Sequence, residues 1–170
     1  NVRIFNNTTY DNNTDNVGAG VVGKVPGGTG ILILATSNVE IYNNNIRDNR
    51  SNGVTITSYF LMDPELNDRD YTATIINGWT PTVKNISIHD NTFEHNSYDP
   101  LTQTLFDDIF NGYEGNHGTV PAIIYDGVGE LLANTIVDSD TGTSFLQSLG
   151  VPVGPYEESE LSCVSNNVNA

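Results

Sequence analysis

The fold is decided by the stretch Asn38-Val39-Glu40-Ile41-Tyr42-Asn43-Asn44, because two further stretches align with it without a gap. They are Asn1-Val2-Arg3-Ile4-Phe5-Asn6-Asn7 and Asn85-Ile86-Ser87-Ile88-His89-Asp90-Asn91. In each copy two aliphatic residues alternate with other residues, which is the periodicity of a β-strand, and a polar pair follows where the chain turns. The recurrence of this unit predicts a solenoid of short strands with the aliphatic side chains stacked inside.

Asparagine recurs at fixed places in the copies. Asn7, Asn44 and Asn91 share one equivalent position, and each copy closes with another asparagine at residue 12, 49 or 96. Asparagine tolerates left-handed backbone conformations, and its amide both donates to and accepts from the same residue one coil away. The recurrence in register therefore predicts an asparagine ladder at a bend rather than separate active-site residues.

Composition and charge limit the classes of function. The chain has 170 residues with 37% hydrophobic content, which suits one domain with a narrow core. Six basic residues against 21 acidic ones give a formal net charge of −15. Nucleic acids and anionic membrane surfaces are disfavoured as partners, because they would be repelled. No apolar run approaches membrane-spanning length, so membrane insertion is not expected.

The repeat is interrupted twice. Residues 1–137 are predicted to form the coils, with insertions at about 58–84 and 98–118, and residues 138–170 are predicted to form a C-terminal cap or an irregular tail. Both insertions are expected to leave the same region of successive coils and to lie side by side. Because the repeat opens at Asn1, we expect the chain to be a fragment preceded by further coils or a cap. Cys163 is the only cysteine, and either a disulfide to a residue beyond the chain or a free thiol fits it.

The copies, together with the Gly-Val/Ile-x-Ile strands that begin at Gly30 and Gly53, resemble right-handed parallel β-helix repeat proteins. This is the broad group similar to pectate lyases, and the resemblance covers about residues 1–137. It extends to exported bacterial proteins that contain parallel β-helix repeats. It implies an all-β solenoid, a secreted, periplasmic or cell-surface location, and a polysaccharide as partner. No stretch matches the catalytic signatures of the lyases or hydrolases in this group, so no catalytic residue is carried over.

Aromatic and acidic residues supply the candidate site. Sugars stack on aromatic faces, and a general acid with a nearby carboxylate or base can cleave a glycosidic bond. The candidate substrate-binding residues are Tyr42, His89, Tyr71, Trp79, Tyr98 and Tyr113. The candidate catalytic residues are Asp68, Arg69, Asp70, Asp107 and Asp108. The alternative is that the aromatic residues anchor loops and the acids are solvated.

Carboxylates that suit a hard cation occur near both ends of the repeat region. An irregular Ca²⁺ site is predicted to use Asp11, Asp15 or the pair Asp138 and Asp140. An EF-hand is excluded, because Asn16 replaces the turn glycine and Val22 stands where the bidentate glutamate is needed. Ca²⁺ is the only cofactor that the sequence suggests.

The sequence thus predicts an exported β-helix protein that binds an extracellular polysaccharide. Processing of that polysaccharide by lyase, epimerase or hydrolase chemistry is a further expectation, and the sequence leaves open whether the protein is an enzyme. The alternative is a non-catalytic surface, structural or adhesion solenoid, which the scarcity of basic residues favours. The sugar, the bond and the oligomeric state also stay open.

Overall fold

The alternating aliphatic residues of each copy form short strands. A computed structural model describes residues 1–63, 72–100, 110–112, 114–115, 118–127, 136–138, 143–144 and 160–170. The strands are β1 (Val2–Phe5), β2 (Thr8–Tyr10), β3 (Thr29–Leu34), β4 (Val39–Tyr42), β5 (Asn45–Arg47), β6 (Asn52–Thr57), β7 (Ile86–His89), β8 (Thr92–Glu94), β9 (Ile123–Tyr125), β10 (Ile136–Asp138), β11 (Thr143–Ser144), β12 (Cys163–Ser165) and β13 (Val168–Asn169). The short helices are α1 (Gly20–Gly23), a 3₁₀ turn at Tyr59–Leu61, and α2 (Thr72–Ile76). The protein is therefore mostly β, as predicted.

The strands assemble into three parallel sheets. Sheet A has the order β1-β4-β7-β12, sheet B has the order β2-β5-β8-β13, and sheet C has the order β3-β6-β9. The chain visits the sheets in the order A, B, C and then returns to A, so one passage through them is one coil. A separate antiparallel pair joins β10 to β11. Three stacked parallel sheets are compatible with a solenoid of the β-helix type.

Register places like residues above one another. In sheet A, Ile4 pairs with Ile41, Ile41 with Ile88, and Ile88 with Val164. Buried apolar residues from all three sheets, together with Val83 just before β7, form one cluster that runs along the stack. Its members are Ile33, Val39, Ile41, Ile46, Val54, Ile56, Val83, Ile86, Ile88 and Phe93. The core is thus a narrow column, as the modest hydrophobic content of the chain requires.

The asparagine ladder is present and extends one coil further than predicted. The backbone N–H and the Nδ2 of Asn7 donate to Oδ1 of Asn44 at 3.0 and 3.1 Å. Asn44 donates to Asn91 in the same way at 3.0 and 2.9 Å, and Asn91 donates to Asn167 at 3.0 Å from both atoms. The ladder side chains also donate to backbone carbonyl groups. For example, Nδ2 of Asn91 donates to the carbonyl oxygen of Ile41 in the preceding coil. Buried backbone groups at the bend are thereby satisfied.

A second ladder lies at the end of sheet B. Asn12 donates from Nδ2 to Oδ1 of Asn49 at 3.0 Å, and Asn49 donates to Asn96 at 2.9 Å. These are the asparagines that close each sequence copy. The structure therefore confirms that the asparagine positions stack, with one ladder on either side of sheet B.

The left-handed backbone falls on the residue that precedes each ladder asparagine. Asn6, Asn43, Asp90 and Asn166 have φ angles of 56°, 53°, 54° and 52°. Asparagine and aspartate enter this region at lower cost than other residues with a Cβ atom. The polar pair at the bend is thus divided in function, because its first member turns the chain and its second member bonds to the next coil.

The C-terminal segment corrects one expectation. The sequence predicts an irregular cap or tail at 138–170, but Cys163–Ser165 pairs in parallel with β7 and Val168–Asn169 pairs in parallel with β8. Asn167 takes the ladder position between them. Residues 163–169 are therefore a fourth copy of the unit formed by sheets A and B. More residues separate this copy from the third than separate the earlier copies from one another.

The insertions leave the coils at different places. The predicted first insertion follows β6 of sheet C, whereas the second follows β8 of sheet B, so the expectation of one shared departure region is wrong. Their described parts nevertheless meet, because Met62 and Phe110 pack together with Val120 and Ile124 in a second buried cluster. Ile124 follows Ile123, which faces the main core, so this cluster covers the opposite face of sheet C.

In the described residues, no helix is long and apolar enough to cross a membrane. The helical residues occur in the segments between the strands, and residues 110–112 of the second insertion are among them. The sheets rather than the helices therefore position the candidate site.

The central ladder residue gives a stability test. Substitution of Asn91, whose side chain is buried, with Ala removes the acceptor for two donors of Asn44. Because each buried polar group left unpaired costs about 1–3 kcal/mol, we expect the free energy of unfolding to fall by about 3 kcal/mol. Urea unfolding followed by circular dichroism measures the change. Asn45→Ala, at an exposed strand position one residue beyond Asn44, is the control, and an equal loss in both variants would contradict the ladder.

Candidate functional site

The structure describes only part of the predicted site. The residues Asp68, Arg69, Asp70, Tyr71, Asp107, Asp108, Tyr113 and Asp140 lie outside the described residues. Their assignment as catalytic, substrate-binding or metal-binding residues stays a prediction. The described candidates, whose surroundings follow, are Tyr42, His89, Trp79, Tyr98, Asp11, Asp15 and Asp138.

Tyr42 and His89 belong to an aromatic stack on the solvent side of sheet A. The rings of Phe5 and Tyr42 lie 5.1 Å apart with an interplanar angle of 7°, and those of Tyr42 and His89 lie 5.4 Å apart at 4°. The outward positions of three successive strands of sheet A therefore carry one stacked row of rings. Both faces of the Tyr42 ring are covered by its neighbours, so this tyrosine presents its edge and its hydroxyl to solvent rather than a face on which a sugar can stack.

An ion-pair network runs beside this stack. Nδ1 of His89 lies 2.8 Å from Oδ2 of Asp90, and its Nε2 lies 3.2 Å from Oε1 of Glu40. Glu40 also bonds Arg3 at 3.0 Å between Oε2 and Nε. The hydrogen bond to Asp90, followed by the one to Glu40, raises the pKa of His89 above its ordinary value. The network therefore favours an imidazolium that bridges two carboxylates.

Trp79 contacts a tyrosine of the same insertion. Its ring meets that of Tyr59 edge-on, with a centroid distance of 5.6 Å and an interplanar angle of 82°. Tyr59 in turn packs against the second buried cluster on sheet C. The assignment of Trp79 as a substrate-binding residue stays a prediction.

A different surface brings aromatic and charged side chains together. We call it the tyrosine face and define it by the residues Tyr10, Arg47, Asp48, Glu94, His95 and Tyr98. Tyr10, Arg47 and Glu94 are paired in register across sheet B, and Asp48 and His95 are the next residues along the chain. Tyr98 lies shortly after His95 in the same coil. Sheet register thus aligns residues that lie in three separate coils.

The side chains of the tyrosine face are linked in a continuous series. The guanidinium carbon of Arg47 lies 4.6 Å from the centre of the Tyr10 ring. Arg47 bonds Asp48 at 2.6 Å, and Asp48 bonds Nδ1 of His95 at 3.1 Å. The His95 and Tyr98 rings stack at 4.2 Å and 5°. Charge-assisted hydrogen bonds and ring contacts therefore orient both tyrosines.

Two rings on this face remain accessible. Tyr10 is 54% exposed and Tyr98 is 45% exposed. Arg47 covers one side of the Tyr10 ring, and His95 covers one side of the Tyr98 ring. Among the described residues, no further ring or cation contacts either tyrosine. Each ring is thus held by one described neighbour and stays about half exposed.

The polar groups between the tyrosines suit hydrogen bonding. The hydrogen bond from His95, followed by that from Arg47, lowers the pKa of Asp48, so its carboxylate persists well into acidic solution. Asn13 adds an amide, because its Nδ2 lies 3.2 Å from the Tyr98 hydroxyl and 2.7 Å from Oδ1 of Asp11. A lowered pKa makes Asp48 an acceptor of hydrogen bonds and a poor donor of protons.

The predicted calcium ligands are not gathered in the described part of the chain. Asp11 bonds Asn13, Asp15 lies in the segment between β2 and β3, and Asp138 ends β10. Among the described residues, no three side chains of His, Cys, Asp or Glu are grouped to hold a metal ion. The Ca²⁺ site stays a prediction, and Asp11 is its one candidate next to the tyrosine face.

Sequence reasoning found Tyr98 but missed the rest of the tyrosine face. The signal was present, because Tyr10, Arg47 and Glu94 hold one position of the repeat, and Asp11, Asp48 and His95 hold the next. These positions carry unlike residues, so they do not stand out as a repeated motif. Their juxtaposition emerges only when the register between coils is known.

In comparisons with known proteins, no protein-family model, no curated protein and no solved structure matches the chain. The fold and the two surfaces described above therefore carry the functional argument alone.

The His89 network gives a pH test. Because the pKa of His89 is raised in the folded protein, the stability it contributes is complete below the ordinary histidine value of about 6.5 and is lost as the pH rises through the raised pKa. Titration followed by NMR measures this pKa. We expect Asp90→Asn to lower it most and Glu40→Gln to lower it less, while Glu94→Gln, on sheet B, leaves it unchanged. A pKa of about 6.5 or below in the unmodified protein would refute the network.

Proposed function

We propose that the protein is a right-handed parallel β-helix of the pectate-lyase-like type, and that it binds an extracellular polysaccharide on the tyrosine face. The parallel order of sheets A, B and C supports the fold, and crossovers between parallel strands of one sheet are right-handed in nearly all proteins. A secreted, periplasmic or cell-surface location is part of the proposal, since the ligand is found there.

The single observation that carries the proposal is the pair of half-exposed tyrosine rings on one surface. Each ring is supported by Arg47 or His95 and remains about half exposed. A pyranose has an apolar face that fits an aromatic ring and a rim of hydroxyl groups that need hydrogen-bond partners. A ring already held in place loses little conformational freedom when a sugar binds, which favours affinity.

The polar groups around the rings supply partners for the hydroxyl groups. Asp48 is a carboxylate that accepts hydrogen bonds, and the amide of Asn13, which is already bonded within the protein, holds the Tyr98 hydroxyl and Asp11 in place. Binding sites of this kind combine apolar contact with a few fixed polar groups that set orientation. The sheet fixes the spacing of these groups, because Tyr10 and Arg47 are held in register.

Processing of the bound polysaccharide is a separate matter. If the protein is an enzyme, its acid and base belong to Asp68, Arg69, Asp70, Asp107 or Asp108, and none of these is among the described residues. Asp48 is unsuited to act as a general acid, because its pKa is lowered rather than raised. The proposal therefore rests on binding, with lyase-like or hydrolase-like turnover as its extension.

One observation favours a second candidate, a non-catalytic surface or adhesion solenoid. The described insertion residues Met62 and Phe110 are buried against sheet C rather than placed around a cleft. In that case the insertions are a structural cover, and the partner is another cell-surface molecule. The two candidates differ in whether a purified polysaccharide binds.

Tyr98→Ala tests the proposed binding face. We expect affinity for the bound polysaccharide to fall about tenfold or more, as is usual when a central aromatic contact is removed. A panel of acidic and neutral polysaccharides is screened first by affinity electrophoresis, with and without Ca²⁺, and Kd is then measured by calorimetry. Release of reducing ends and of unsaturated products in the same samples reports hydrolysis or lyase activity.

Phe5→Ala is the matched control, since Phe5 is 45% exposed like Tyr98 but lies on sheet A. It should leave the affinity unchanged. Equal losses in the two variants, or no loss in Tyr98→Ala, would remove the tyrosine face as the binding site. Failure of every polysaccharide to bind the unmodified protein would favour the adhesion solenoid.

A further inference from the structure

The charge of the ligand can be inferred from the way in which the basic side chains are used. Every Lys and Arg of the described chain already contacts an oxygen of the protein itself. The contacts are Arg3 with Glu40, Arg47 with Asp48, Arg50 with Asp99, Lys84 with Glu160, and Lys24 with the carbonyl oxygen of Met62. The remaining basic residue, Arg69, lies outside the described residues.

Among the described residues on and beside the tyrosine face, both arginines, Arg47 and Arg50, are paired with carboxylates. Arg47 is engaged twice, because its guanidinium covers the Tyr10 ring and bonds Asp48. Arg50 pairs with Asp99, the residue that follows Tyr98. Neither cation is left to meet an anionic group of a ligand. An anionic sugar would have to displace a carboxylate that is already held in a good geometry.

Acidic groups on the same surface have no such compensation. Glu94 is exposed next to His95, and within the described chain no cation pairs with it. Asp11 also borders the face through Asn13. The formal net charge of −15 adds a repulsive field over the whole protein. Uronate or sulfate groups are therefore repelled from the tyrosine face, whereas an uncharged sugar is not.

We propose, resting on the proposed polysaccharide-binding function, that the ligand of the tyrosine face is an uncharged glycan and that anionic glycans are excluded. Selectivity of this kind needs no contact that recognises a particular hydroxyl group, because it follows from the pairing of Arg47 and Arg50 with their carboxylates. It is an example of specificity obtained by penalising the wrong ligand.

The test uses polymers that share a backbone and differ in charge. The pairs are hydroxyethyl and carboxymethyl cellulose, fully methyl-esterified and de-esterified homogalacturonan, and dextran and dextran sulfate. Binding of the full chain is measured by affinity electrophoresis in the presence of a chelator, so that no divalent cation bridges the ligand to the protein. We expect the uncharged member to bind more tightly wherever a pair binds, and any binding of the anionic member to strengthen as salt screens the repulsion.

A charge variant makes the test specific to this surface. Asp99→Asn releases Arg50 beside Tyr98, and we expect affinity for the anionic polymer to rise about two- to fivefold, the size of an exposed charge contact. Glu160→Gln changes the net charge by the same amount, but at the contact with Lys84, which precedes β7 of sheet A. It should raise the affinity for the anionic polymer less.

The outcomes separate the two proposals. Tighter binding of the anionic member in the unmodified protein overturns the charge inference and leaves polysaccharide binding standing. Binding of no polymer in any pair overturns the proposed function and the inference with it. An equal rise of anionic binding in Asp99→Asn and Glu160→Gln also overturns the inference, since the effect would then be one of net charge alone.

Discussion

The hydrogen bond from one asparagine amide to the next is the interaction on which this architecture depends. At the bend between sheets A and B, Asn44 and Asn91 are buried. Each donates hydrogen bonds from its backbone N–H and its Nδ2 to Oδ1 of the ladder asparagine in the coil that follows. A buried bend without such partners would leave polar backbone groups unsatisfied. Because each amide accepts what its neighbour donates, the ladder also fixes the register of sheets A and B. The stacked aliphatic column and both solvent faces follow from that register.

Much of the fold can be read from the sequence, for reasons that particular residues show. Ile41 and Ile88 alternate with outward residues, and Asn7, Asn44 and Asn91 recur with them, so strand and ladder were both predictable. The fourth copy escapes prediction because Val164 is the only aliphatic residue in its strand. The departure points of the insertions escape it as well, since they depend on which sheet each strand joins, and pairing partners are not encoded locally.

The candidate site was less predictable than the fold. Tyr42 and His89 were candidates for stacking against a sugar, but in the structure Phe5 and His89 cover the two faces of the Tyr42 ring. The tyrosine face instead combines Tyr10, Arg47 and His95, which come from different coils and share no motif. Sequence patterns reveal what repeats, whereas a binding surface on a solenoid is built from the positions at which the repeats differ. The residues proposed for catalysis stay predictions because they lie outside the described residues.

The unequal lengths of the coils also bear on how the chain folds. Ladder partners lie 37, 47 and 76 residues apart in the sequence, although their contacts are nearly identical. The entropy lost on closing a loop grows slowly with its length, so the longest of these closures costs only about 0.6 kcal/mol more than the shortest. Nearly all pairing is nevertheless between distant residues, which places the protein among slow folders. Stability from one coil to the next is thus almost independent of loop length, while the rate of assembly is not.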